Sequence, residues 1–86
     1  MNTYIEKKEK RYIIAGLDAE GNTVYLRYLL GKKWELTPNI ERASKMHKRS
    51  FAKDVLDMYY HDCPGLTDKW VIVPLIITYE LVNETR

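Results

Sequence analysis

This chain is poor in the residues that most often announce a chemistry: one cysteine, two histidines and four glycines in 86 residues. Each scarcity removes a class of protein. A lone Cys63 cannot close an internal disulfide, which excludes a small secreted scaffold held by bridges and fits a reducing cytosol. Gly16, Gly21, Gly31 and Gly65 are scattered, so no glycine-rich loop is available to cradle a phosphate. Long apolar runs are missing too. Trp70 to Ile77 is far shorter than the ~20 residues that span a bilayer, and the opening MNTYIEKKEKR has charges where a signal peptide carries an apolar core. Neither export nor a membrane partner is expected.

The few reactive groups do not assemble into a centre. His47, His61 and Cys63 match no zinc signature, which needs two tight pairs of ligands. A helix end explains His61-Asp62-Cys63 more simply, with His61 complementing the dipole and Cys63 filling a gap. Asp54 and Asp57 share a helical face, the ordinary pattern of a solvated surface. No Ser/His/Asp arrangement can be built. The expectation is a protein that is not an enzyme, with no catalytic residue, metal or cofactor.

What the sequence has is a core and a surface rich in amphipathic aromatics. Hydrophobic residues make up 45% and charged residues 30%, the balance of a globular chain, and 86 residues suffice for one domain, 1–86. Seven Tyr and two Trp stand against one Phe, a tilt toward rings with a polar handle that suits binding surfaces.

Tyr12–Leu17 and Thr23–Leu30 read as strands of a β-hairpin across the turn formers Asp18–Asn22. The charged run before them, within residues 1–11, is a solvated lead-in or part of an edge strand guarded by lysines. Gly31-Lys32-Lys33 breaks the second strand, and the chain re-enters at Trp34–Leu36. Thr37 can cap a single helical turn with Pro38 in its first position, placing Ile40 and Ala43 on one face. Lys45–His47 is short enough for a brief strand. Ser50 then reads as the N-cap of a helix whose buried stripe is Ala52, Val55, Leu56 and Tyr59, with Phe51 beside it, ending before Pro64.

In the closing strand, Val71, Val73, Leu75, Ile77, Tyr79 and Leu81 form one apolar face. The other face turns from Trp70 and Ile72 to Thr78 and Glu80, so the first half is expected to be buried on both sides and the second on one. Pro74 cannot donate to a ladder, which demands a bulge or an unpaired edge. The fold expected is α+β: a single antiparallel sheet of three to four strands with one main helix packed on a face. Trp34, Leu36, Ile40, Ala43, Phe51 and the helical stripe are expected in the core.

Charge is divided along the chain. Residues 1–53 hold twelve Lys/Arg against six Asp/Glu, whereas residues 54–86 hold two against six. The excess peaks at Arg42, Lys45, His47, Lys48, Arg49 and Lys53, enough to attract phosphate or an acidic protein patch. These residues, with the exposed aromatics Tyr25 and Tyr28 and also Trp34, are the candidate partner contacts.

Trp34-x-Leu36 before a Pro-Asn turn, Ile40-Glu-Arg-Ala43-Ser-Lys-Met46, an amphipathic helix and the closing VIVPLIITYEL strand together resemble small accessory proteins of bacteriophages and mobile elements, across residues 12–82. Anti-CRISPR proteins are among proteins of this size and style. The resemblance implies an inhibitor in the cytoplasm of a bacterial host, occupying the surface of a host effector such as a nucleic-acid-binding defence nuclease; it carries no site residue across. Two alternatives stand beside it: a nucleic-acid-binding accessory protein using residues 42–53, and a structural module dimerising through a sheet edge near Pro74. The chain is read as a monomer or a homodimer.

Overall fold

The computed structural model describes residues 4–31, 33–63 and 69–82. They form β1 (Tyr4–Leu17), β2 (Thr23–Leu29), β3 (Lys33–Thr37), a 3₁₀ turn (Ile40–Arg42), α1 (Arg49–Asp62) and β4 (Val71–Val82). One four-stranded antiparallel sheet in the order β3-β2-β1-β4 carries α1 on one face, an α+β fold. The charged run Glu6–Arg11 lies inside β1.

Local chemistry explains the first hairpin. Asp18 Oδ1 accepts from the backbone N–H of Glu20 at 2.9 Å and of Asn22 at 2.8 Å, closing an Asx-type turn. Gly21 supplies the positive φ, 85°, that the reversal needs.

β1 and β2 then part company. Their register covers only Ala15↔Tyr25, Gly16↔Val24 and Leu17↔Thr23. Into the fork enters the segment Ala43–Met46. Ser44 N–H donates to Leu26 O at 3.2 Å, Ser44 Oγ accepts from Tyr28 N–H at 2.7 Å, and Met46 exchanges both backbone bonds with Tyr12, at 2.6 and 2.9 Å. The brief strand expected at Lys45–His47 is thus a single bridge, Tyr12↔Met46. Beyond it, β1 and β4 continue as a two-stranded ribbon from Arg11↔Leu75 to Tyr4↔Val82. The molecule is accordingly long, 57 × 28 × 23 Å.

The core lies under the helix. Ala52, Val55, Leu56 and Tyr59 face Ile14, Val24, Leu26, Met46 and Trp70, as the helical period predicts. Tyr28, Trp34, Tyr59 and Trp70 form an aromatic chain. Trp34 stacks on Tyr28 at 4.7 Å, and Tyr59 meets Trp34 and Trp70 edge-on at 5.3 and 5.5 Å. Trp34 Nε1 donates to Asp62 Oδ2 at 2.9 Å, tying the end of α1 to β3.

Several expectations fail. The apolar row Val71, Val73, Leu75, Ile77, Tyr79 points away from the helix, because residues opposite one another share a face and Ile14↔Ile72 belongs to the helical side. Val71 is 56% exposed, so the first half of β4 is not buried on both sides. On that open face the buried residues include Ile13, Ala15 and Thr37. Leu36, Ile40 and Phe51, expected in the core, are exposed. The 3₁₀ turn is capped by Asn39, whose side chain accepts from Glu41 N–H, while Thr37 ends β3 and accepts from Asn39 N–H. Helix α1 starts one residue before Ser50, with Lys48 as an N-cap that makes no side-chain hydrogen bond.

Pro74 needs no bulge. Its partner Tyr12 sends both backbone groups to Met46, so at Tyr12↔Pro74 neither residue faces the other's ladder and the proline nitrogen points to the outer edge.

Two stability predictions follow from this packing. A Cβ on Gly16 would lie 2.6 Å from the Trp70 ring, so Gly16→Ala should cost about 1–3 kcal/mol in urea unfolding, with exposed Leu17→Ala costing far less. Ser44→Ala should cost about 1–3 kcal/mol by orphaning the Tyr28 amide, read in the same experiment.

Candidate functional site

The start of α1 gathers positive charge where a helix least favours it. No acidic residue lies in the first turn, and His47, Lys48, Arg49 and Lys53 surround N–H groups that already present positive partial charge. Arg49 and Lys53, four apart, share a flank of the helix. The Arg49 guanidinium lies 5.2 Å from the centre of the Tyr12 ring. Lys10, two residues along β1 on the same face, brings its Nζ to 5.5 Å from that ring. Tyr12 therefore holds two cations from separate elements at the root of the ribbon.

The other candidates stand elsewhere. Lys45 Nζ donates to Glu41 O at 2.7 Å and Ala43 O at 3.1 Å, satisfying carbonyls of the turn that feeds the fork. Arg42 is exposed on the 3₁₀ turn. Tyr25 sits on the open face, in register with Ala15 and Thr37, and Tyr28 belongs to the aromatic chain on the helical side. Of the nine candidate contacts, Trp34 belongs to the aromatic chain with Tyr28, and His47, Lys48, Arg49 and Lys53 lie at the start of α1, where Arg49 meets Lys10 at the Tyr12 ring. Lys10 and Tyr12 carried a signal in the sequence. In strand geometry, positions 10 and 12 share a face, which is visible once the charged run is taken as strand.

His61 is exposed in the last turn of α1, and Cys63 is half-buried against the core with its N–H bonded to Tyr59 O. Among the described residues no three His, Cys, Asp or Glu side chains come together. No helix among them is long and apolar enough to cross a membrane. Ile40, Glu41 and Lys45 line a groove of about 350 Å³ with Leu75, Ile76, Ile77 and Tyr79.

On the ribbon's open face one carboxylate is shared by two cations. Glu9 pairs with Lys7 at 3.0 Å and with Arg11. The Lys7 hydrogen bond, ahead of the Arg11 and Lys7 charges, holds the Glu9 carboxyl below its ordinary 4.5 despite some desolvation. A carboxylate lowered on folding stabilises above its unfolded value and loses that contribution as pH falls through the folded one. An NMR titration should place the Glu9 midpoint below 4.5, and Lys7→Met should move it upward.

Compared with known proteins, the chain matches no family model, no curated sequence and no solved structure, so its function has to be argued from its own residues.

Proposed function

We propose that this chain is a small non-enzymatic binding protein that occupies an acidic patch on a partner protein through Lys10, Tyr12, His47, Lys48, Arg49 and Lys53. The observation that carries the reading is the convergence of Lys10 and Arg49 on one ring, beside a helix start with no acidic residue in its first turn and no side-chain cap. Crowding like charges is unfavourable in the isolated protein, and a partner's carboxylates relieve it. The contacts with the Tyr12 ring offset part of that repulsion and leave the helix start without a complement. A Ser or Asp at position 48 would serve α1 better.

Nucleic acid is the second reading, favoured by the same cations, and it fits less well. A duplex presents one charge per ~1.7 Å over a long track. Such a track would meet Asp54 and Asp57 on α1, and at the far end of the ribbon the register sets Glu6 directly opposite Glu80. A short acidic protein patch fits between these limits. The resemblance to phage accessory proteins supplies the context: the partner is a host defence effector, in its most concrete form a CRISPR nuclease, covered at its nucleic-acid site or kept from assembling.

The test separates stability from binding. Lys48→Asp should raise the unfolding free energy by about 0.5–2 kcal/mol, because it caps α1 and complements its dipole. The same substitution should weaken capture of the partner from nuclease-treated bacterial lysate at least tenfold. Capture abolished by nuclease treatment would move the assignment to nucleic acid, and capture unaffected by the substitution would remove the corner from the contact.

A further inference from the structure

The ribbon that extends past the fork is under-supported for its length. From Arg11↔Leu75 to Tyr4↔Val82 the only strand pairing among the described residues is β1 with β4, and a two-stranded ribbon is marginal in water without a third strand or a covering helix. Its two edges differ in chemistry. The β1 edge carries six consecutive charged residues, Glu6 to Arg11, the usual guard of an open strand. The β4 edge, Leu75 to Val82, carries one charge, Glu80. Ile76 is 56% exposed and Tyr79 50% exposed.

The main chain defines how far the β4 edge can be used. Since Pro74 faces outward, strand alternation turns the N–H and C=O groups of Ile76, Thr78, Glu80 and Val82 outward as well. Pro74 offers no donor and closes the usable edge on its N-terminal side. Four outward positions remain among the described residues.

We propose that a second copy of this chain pairs antiparallel along that edge, with the two-fold axis at Tyr79. This register sets Thr78 opposite Glu80, Ile77 opposite Leu81 and Ile76 opposite Val82, so that in the sequence apolar positions stand against apolar ones and the single acidic position against a threonine. The neighbouring symmetric registers are worse. Centred on Thr78, Glu80 opposes Ile76; centred on Ile77, it opposes Pro74 and a donor is lost; centred on Glu80, two carboxylates face each other. A seven-residue strand spans ~23 Å, and the pairing buries on the order of 1,000 Å² in total, the low end of specific interfaces. An interface of that size belongs with weak, transient association. The local two-fold of an antiparallel pair is perpendicular to the sheet. Both helices consequently lie on one side of a continuous eight-stranded sheet, and both basic corners face the same way. The contact is separate from the corner assigned to the partner and stands without it.

Sedimentation equilibrium of the full chain from roughly 1 to 500 µM should show a reversible monomer–dimer equilibrium. Ile76→Pro places a second proline at an outward position, where the β1–β4 ladder tolerates Pro74, and should raise the dissociation constant at least tenfold with the circular dichroism spectrum unchanged. Tyr79→Asp, which sets two carboxylates at the axis, should do the same by an independent route. Lys48→Asp should leave the equilibrium unchanged. A wild-type chain that stays monomeric throughout overturns the proposal, as does a dimer that survives both Ile76→Pro and Tyr79→Asp.

Discussion

The structure depends on four residues, Ala43 to Met46, entering the fork between β1 and β2. Without them, the amides and carbonyls that β1 and β2 expose as they diverge would face each other across a gap too wide to bond. Ser44 answers Leu26 and Tyr28 on one side, Met46 answers Tyr12 on the other, and the Met46 side chain goes down into the core. Strand pairing thus passes from β2 to β1 through a segment that belongs to neither. Lys45 ties the 3₁₀ turn to its C-cap by bonding the carbonyls of Glu41 and Ala43.

From this follows the location of everything polar that is unusual. Met46 at the fork leaves two residues, His47 and Lys48, before α1 begins, so the helix starts directly over Tyr12. Positive charge at that start is a consequence of where the chain emerges combined with the residues it emerges with. Were the same lysines and arginines set in the last turn, they would complement the dipole and call for no further account.

Much of this was legible beforehand. The buried stripe of α1 and the hairpin at Asp18–Asn22 carry local signals, periodicity in one case and turn chemistry in the other, and both elements form where those signals lie. The side of β4 that meets the helix was not legible, because Trp70 and Ile72 on one face and Val71 and Val73 on the other are equally apolar. Gly16 decides it. By extension of the β1–β4 register it stands beside Trp70, and only a residue without Cβ lets the indole lie against β1. The Ser44 contacts were invisible for another reason: they join residues sixteen or more apart, and a serine in a loop has many uses. The helix start was misread because Ser50 is a good cap by type, yet the bridge at Met46 sets the chain's direction earlier and α1 begins with Arg49. Within the candidate site, the cluster around residue 48 could be read from charge alone, but the link to Lys10 needed β1 to begin at Tyr4.

The ribbon also bears on how such a chain can change over generations. It is rooted at the Tyr12–Met46 bridge and held beyond it by the β1–β4 ladder, so its length is nearly independent of the core. Two residues gained in each strand would lengthen it by about 7 Å and leave every side chain on its original face. A single residue gained in one strand would turn all positions beyond it over, sending Lys8 to the open side. Arm length is therefore free to drift in steps of two, while the root, with Gly16, Tyr12 and Ser44, is not.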